Sequence, residues 1–386
     1  MNTDYTSIFI DHIREHAIRY FPALIGDEIE VQFRSRQERP SATLYRFQVK
    51  DISQARSVIV KVPARNLLKG RLNDLGFEKP LLFPKAEATE MHALQYSALV
   101  AIDEHFTSLN KKELGTIRVL DYLPDSQAVV MEESNAPKLQ DLLMKESRLR
   151  SPFSQHRLAP AFQNVGKWLR IYHRMPKQEQ VQVRHEHRED YIEGISKLTD
   201  FLASRLGERS FFNQIALILA SKARDVLPET LPLGLGHGDY APRNILVDPS
   251  ARVIVLDTFS KWRTPIYEDI GYFLTGMKMT YPQVVSQGLV FSDSQIKAYE
   301  QAFLKGYFEQ KPVPYSAIRL YEMLTLLDKW SSVLISSYRR SARIRMAGDV
   351  KAAVASLYFR RRTKQLLNEI AAVKRAAPSL DAERSF

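Results

Sequence analysis

Three polar side chains in one stretch of this sequence could together handle a phosphoryl group. Asp239 stands in Gly236-His237-Gly238-Asp239-Tyr240, Asn244 follows five positions later, and Asp257 closes the run Val253-Ile254-Val255-Leu256-Asp257. A carboxylate can accept a proton from a hydroxyl, and an amide oxygen with a second carboxylate suits a hard divalent cation such as Mg²⁺. One proton acceptor and two oxygen ligands are what metal-assisted phosphoryl transfer to a hydroxyl needs. The sequence between them predicts how they would meet. Ile245–Val247 is a short apolar run, Asp248-Pro249-Ser250-Ala251 is a turn cluster, and Arg252–Leu256 is a second β-rich run, so a β-hairpin is expected. A hairpin returns the chain beside its starting point, which brings Asn244 and Asp257 to one edge. Asp239, on the loop leading in, is near enough to point into the same space. The bland alternative makes both aspartates turn or capping residues and Asn244 a loop brace.

His237-Gly238-Asp239, with Asn244 and Asp257 so placed, resembles the catalytic segment of the aminoglycoside phosphotransferase and choline kinase superfamily. These are small-molecule kinases with the two-lobed protein-kinase fold. The resemblance implies that Asp239 is the catalytic base, that Asn244 binds Mg²⁺, that Asp257 is the second metal ligand, and that ATP is the donor. It also implies an α+β, bilobal, protein-kinase-like fold: a small β-rich N-lobe with one main helix, and a larger, mostly helical C-lobe. The lobes are expected at residues 1–134 and 135–386.

The elements that would position these groups can be read along the chain. Ser7 to about Leu24 reads as an amphipathic helix with Ile8, Ile10, Ile13, Ala17 and Tyr20 at helical spacing. Thr43, Tyr45, Phe47 and Val49 alternate with Leu44, Arg46 and Gln48, the period of a strand. In Ser57–Val62, Val58, Val60 and Val62 share one face, while Lys61 shares the other with Ile59. Such a lysine either snorkels outward at a sheet edge or projects into a nucleotide cleft, and the resemblance favours contact with the phosphates. A kinase cleft then needs an acid on a following helix to hold the lysine. Glu87 and Glu90 both fit; Glu90 is preferred because Leu94 follows it at the family's spacing.

Thr116–Val119 and Ala128–Met131 read as strands around Pro124-Asp125-Ser126. Val129–Ser134 resembles the last small-lobe strand entering the hinge, so adenine is expected at the backbone of Glu132, Glu133 and Ser134. Ser35–Thr43 lacks the glycines of a phosphate-cradling loop, which leaves Ser41 and Thr43 as candidate phosphate contacts. Phe162–His173 is helical; His173 at its end is expected to be structural, His237 to brace its loop, and the resemblance implies that Asp269 braces the catalytic loop. Ser292–Gln295 forms a capping box. Tyr272, Trp330 and Tyr338 are expected to wall the acceptor site.

The 386 residues are 45% hydrophobic and 26% charged, as in ordinary globular proteins. With no cysteine, disulfides, thiolate chemistry and cysteine-ligated zinc are excluded. No apolar run approaches roughly 18 residues, and Met1–Tyr5 lacks the blocks of a signal peptide, so the cytoplasm is the expected location. The net charge of +11 is concentrated late: Arg339, Arg340, Arg343, Arg345, Lys351, Arg360, Arg361, Arg362 and Lys364 are opposed only by Asp349. This run is a solvated helix face or a patch for anionic partners, such as peripheral contact with an anionic membrane surface. Nucleic acid is not expected, because no binding module accompanies the charge.

The expected activity is transfer of the ATP γ-phosphoryl group to a hydroxyl of a small molecule: a sugar, an amino-alcohol or a related compound, including a saccharide-linked or anionic acceptor. Cationic acceptors want acidic or aromatic walls, so the arginine-rich tail argues for a neutral or anionic one, such as a sugar or phosphosugar. The competing reading is a catalytically silent nucleotide-binding scaffold whose basic tail recruits a partner.

Overall fold

The computed structural model describes residues 5–24, 28–39, 42–63, 91–147, 157–176, 181–258, 262–338 and 342–372. They fall into two units. One holds the described residues within Met1–Asp74, Lys85–Pro137 and Ile254–Phe259; the other holds those within Lys138–Val253 and Ser260–Phe386.

The first unit is a five-stranded antiparallel sheet with helices. Its elements are α1 (Thr6–Tyr20), β1 (Glu30–Glu38), β2 (Ala42–Lys50), β3 (Ala55–Pro63), α2 (Met91–Ser108), β4 (Leu114–Thr116), β5 (Val119–Leu123) and β6 (Ala128–Glu132). The sheet order is β1-β2-β3-β6-β5. The two-residue period does the work expected of it: Tyr45, Phe47 and Val49 of β2 and Val58, Val60 and Val62 of β3 are buried in one core with α1. Phe9 of α1 packs edge-on against Tyr45 at 5.3 Å between ring centroids. Fully burying such an aromatic contributes about 1.5–3 kcal/mol. α1 is also pinned through Asp121, which accepts hydrogen bonds from Tyr20 Oη at 2.8 Å and contacts His12 Nε2 at 3.1 Å and Arg19.

Three sequence expectations need correction here. The α1 stripe is Phe9, Ile13, Ala17 and Tyr20, and Ile8 is exposed. A helix has one inward face, and Phe9 rather than Ile8 lies in line with Ile13, so Ile8 falls outside it. The helix also ends at Tyr20, before Leu24. The strand expected at Thr116–Val119 is two short ones, β4 and β5, and it is Val119–Leu123 that pairs with β6.

The second unit is mainly helical. It contains α3 (Leu139–Lys145), α4 (Ala159–His173), β7 (Gln182–Val183), α5 (Arg188–Leu206), α6 (Arg209–Val226), β8 (Leu233–Leu235) and β9 (Ile245–Val247). β10 (Val253–Val255) carries the chain across the division, and β11 (Trp262–Pro265), α7 (Ile266–Lys278), α8 (Tyr281–Val285), α9 (Asp293–Phe308), α10 (Tyr315–Tyr338) and α11 (Ala342–Ala372) follow. A small sheet runs β7-β11-β8. α4 and α9 cross at two glycines: a Cβ on Gly166 would meet Phe303 O at 2.0 Å, and one on Gly306 would meet Gln163 O at 1.9 Å. Neither position can carry a larger residue without separating the helices. Ser292 caps α9 by accepting from Gln295 N at 3.1 Å, and the Gln295 side chain donates to Glu146 O at 2.9 Å.

Four helices meet at a buried ionic network. Lys278 Nζ of α7 lies 2.6 Å from both Glu300 of α9 and Glu322 of α10. Arg319 pairs with Glu300, Glu322 and Glu369, and Arg362 reaches Glu369 at 3.0 Å. The basic C-terminal helix is thus anchored by its own charges. Arg360 pairs with Glu208, and Arg361 donates to Gln287 O. Three arginines of the basic run are used inside the protein; the side chains of its Arg339–Lys351 portion lie outside the described residues. Among the described residues no helix is long and apolar enough to cross a membrane.

Candidate active site

In the larger unit, the segment after β8 forms a loop held from several sides. Gly238 takes φ +77°, the left-handed region open to glycine. Asp269, in the first turn of α7, accepts from His237 N at 2.7 Å and Gly238 N at 2.9 Å. His173, at the end of α4, contacts the same carboxylate through Nε2 at 3.1 Å, and its Nδ1 lies 2.7 Å from Tyr307 Oη. Burial opposes ionisation of Asp269, but the hydrogen bond and charge of His173, with those of His237, outweigh it and hold the carboxyl below its ordinary value. Tyr172 Oη donates to Gly236 O at 3.2 Å, Tyr240 Oη donates to Val165 O at 2.8 Å, and Asp239 N donates to His237 Nδ1 at 3.3 Å. His237 and Asp269 therefore brace the loop as expected, and His173, expected only as a structural histidine, joins them through Asp269.

Asp239 projects from this braced loop with its side chain 40% exposed. Asn244 follows in a 3₁₀ turn, Pro242–Asn244, and its Nδ2 donates to Asp239 Oδ2 at 2.8 Å and to Asp239 O at 2.9 Å. The other carboxylate oxygen pairs with Arg243, which also donates to Tyr272 Oη at 3.2 Å. Lys329 Nζ of α10 sits 4.1 Å from the centroid of the Tyr272 ring. Burial, helped by the Asp239 charge, pushes the Tyr272 phenol up to about 12, so it remains a neutral donor. The expected turn after β9 is present: Asp248 Oδ1 accepts from Ser250 N and Arg252 N, and Asp248 N donates to Arg252 O at 3.1 Å. Trp330, expected in the acceptor wall, is instead core. It is fully buried, stacks on Phe359 and donates to Ser356 Oγ at 3.0 Å. Its aromatic character did not reveal which face of α10 it occupies. The Tyr338 side chain lies outside the described residues.

The smaller unit holds the second constellation. Lys61 on β3 points away from the Val58/Val60/Val62 face and donates from Nζ to Asp257 Oδ1 at 2.7 Å. Gln95 of α2 donates to the same oxygen at 3.1 Å. Asp257 has φ +57°, a left-handed conformation that aspartate adopts more readily than most residues. Gln95 is 1% exposed, and its Oε1 is buried with no hydrogen-bond partner. Sequence reasoning missed this residue. Its signal was position: Gln95 lies four residues before Leu99 and three before Ala98, on the buried face of α2. Glu90 and Glu87 lie outside the described residues, as does Ser41. Arg243 was also missed, although it stands inside the motif one residue before Asn244.

At the end of β6, Glu132 N donates to Arg118 O at 3.0 Å and Glu133 N to Ser57 O at 2.8 Å. The Glu133 carboxylate pairs with Arg46 at 2.8 Å, and Glu132 lies 3.7 Å from both Arg56 and Arg118. Ser134 Oγ accepts from Ala136 N at 3.3 Å. Two of the three amides expected to meet adenine are therefore already engaged. Thr43 pairs with Val62 and Glu38 in the sheet and is half-buried. Among the described residues no group of three His, Asp or Glu side chains gathers in metal-binding geometry. Asn244 lies in the larger unit and Asp257 in the smaller one, and each carries a side-chain oxygen of the type a hard divalent cation takes.

The fold is one seen among solved small-molecule kinases. A choline kinase from Cryptosporidium parvum Iowa II matches with a TM-score of 0.54 and 11% identity, over 95% of this chain and 96% of that one. A macrolide 2′-phosphotransferase from Brachybacterium faecium matches with a TM-score of 0.50 and 10% identity, over 90% of this chain and 97% of that one. No family model matches the sequence, and no curated protein matches it either. At such identities the likeness is one of fold.

Proposed function

We propose that this chain, which has the fold of those kinases, is an ATP-dependent phosphotransferase acting on a hydroxyl of a small molecule. The observation that carries the reading is Asp239: a partly exposed carboxylate on a loop fixed through Asp269, with Asn244 bonded to it at 2.8 Å. In the reaction, the acceptor oxygen bonds to the γ-phosphorus, the bond from that phosphorus to the β,γ-bridging oxygen breaks, and the hydroxyl proton passes to Asp239. Arg243 must leave that carboxylate for the hydroxyl to approach. Asn244 Oδ1 and Asp257 would hold Mg²⁺, which when bound supplies positive charge to the transferring phosphates.

Lys61 would face the α- and β-phosphates, with Glu90 as its partner on the following helix and Ser41 and Thr43 near the phosphates. With the amides of Glu132 and Glu133 engaged in the sheet, Ser134 N is the donor of that segment left for adenine. In this division of labour, residues 1–134 hold the nucleotide and residues 135–386 carry the base and the acceptor. Arg243 and Lys329 around Tyr272 favour a neutral or anionic acceptor over a cationic amine.

A second reading, a silent nucleotide-binding scaffold, is favoured by one observation: Arg243 occupies the carboxylate a base would need. A single experiment separates them. Incubation with Mg²⁺ and γ-labelled ATP across neutral, anionic and cationic hydroxyl compounds should label a neutral or anionic acceptor. Nucleotide binding without transfer to any compound would leave the scaffold.

A further inference from the structure

The larger unit contains a cavity of about 490 Å³ that includes neither Asp239 nor Asn244. Arg174, Arg263 and Lys311 line it with cations, while Leu233, Ile266 and Phe308 supply apolar wall. His173 and Tyr307, hydrogen-bonded to each other at 2.7 Å, also line it. Among the described residues, two of the three cations lack a carboxylate partner. Arg170, one turn before Arg174, is paired with Glu309 at 2.6 Å. Arg174 and Arg263 have no carboxylate partner among the described residues, and the Arg263 side chain bonds only Leu233 O, at 3.2 Å. Arg263 is half-buried. A guanidinium drawn out of water without an opposing charge is costly, and its forked donors match phosphate oxygens.

We infer that this cavity is a binding site for a small phosphate monoester with an apolar body. Three cations around one space fit a dianion better than a carboxylate, and the apolar wall gives the remainder of the molecule a surface to bury. The occupant would lie against the Tyr307–His173 pair. His173 touches Asp269, and Asp269 holds the amides of His237 and Gly238, so the site adjoins the brace of the loop that carries Asp239.

Phenyl phosphate is a suitable probe, titrated calorimetrically into the full chain carrying Lys61→Ala so that the lysine of the smaller unit does not compete for phosphate. One saturable site is expected, weakened at least tenfold by Arg263→Gln and by Arg174→Glu, weakened by added salt, and absent for phenol. Arg174 is exposed, so its charge reversal leaves the fold intact and decides the matter even if Arg263→Gln unfolds. Equal affinity in the Arg174→Glu protein, or no binding in the Lys61→Ala protein, would overturn the proposal.

Discussion

Lys61 Nζ lies 2.7 Å from Asp257 Oδ1, although 196 positions of sequence separate them. The pair is asymmetric: the lysine side chain is 14% exposed and the aspartate 47%. A nearly buried ammonium is thus matched by a carboxylate that still reaches solvent, as a group that also held a metal would need to be. Asp257→Asn keeps the shape and removes the charge. It should weaken Mg²⁺–ATP binding at least tenfold, about 1.4 kcal/mol, measured by calorimetry with the fold checked by circular dichroism. Unchanged affinity would remove Asp257 from the metal site.

Gln95 allows stability and binding to be pulled apart. Its Oε1 is buried without a partner, a defect that costs about 1–3 kcal/mol. Gln95→Leu removes that defect together with the bond to Asp257. The urea midpoint should hold or rise while the Kd for Mg²⁺–ATP increases severalfold. A fall in stability at constant affinity would mean that Gln95 serves only the core.

The ionic network of the larger unit predicts a pH dependence. Burial alone would raise the Glu322 carboxyl, but the charges of Lys278 and Arg319 lower it from 4.5 to about 2. Its folded value lies below its unfolded one, so it stabilises the protein above pH about 4.5, and that stability is lost as pH falls through about 2. Glu322→Gln takes one carboxylate from two buried cations, leaving Glu300 to both and Glu369 to Arg319, and should cost at most about 3–5 kcal/mol at pH 7. In urea titrations at several pH values, its difference from the parent should shrink as pH falls across that window. A difference independent of pH would contradict the charge argument.

Arg243 tests the acceptor class. If it greets an anionic acceptor after leaving Asp239, Arg243→Gln should raise KM for that acceptor about tenfold, the worth of one charge-assisted contact of about 1.4 kcal/mol. The kcat should change far less. A rise in kcat at constant KM would show instead that the Arg243–Asp239 pair obstructs the base.

Much of this architecture was legible in local pattern, and what was not depended on distance along the chain. The alternation in β2 and β3 named the buried faces correctly, because a strand's side chains can only alternate. The turn of Asp248–Arg252 and the cap at Ser292 were legible for the same local reason. The α1 stripe was misread by one residue, since Ile8 and Phe9 are both apolar and only packing on Tyr45 selects Phe9. Trp330 went from expected wall to core because residue type does not tell which face of a helix is covered. The place of Gln95 on α2 had a local signal, but its bond to Asp257, like that of Lys61, depends on segments far apart in sequence meeting in the fold.

Asp239 bears the account's central claim, and rapid-quench measurement of a single turnover tests it most directly. Enzyme in excess over labelled ATP and Mg²⁺, mixed with an acceptor found by the panel, should transfer phosphate in the parent protein. Asp239→Asn should slow that transfer by at least about a hundredfold, the usual worth of a positioned base, with ATP affinity preserved. Transfer by Asp239→Asn at the parental rate would contradict the assignment.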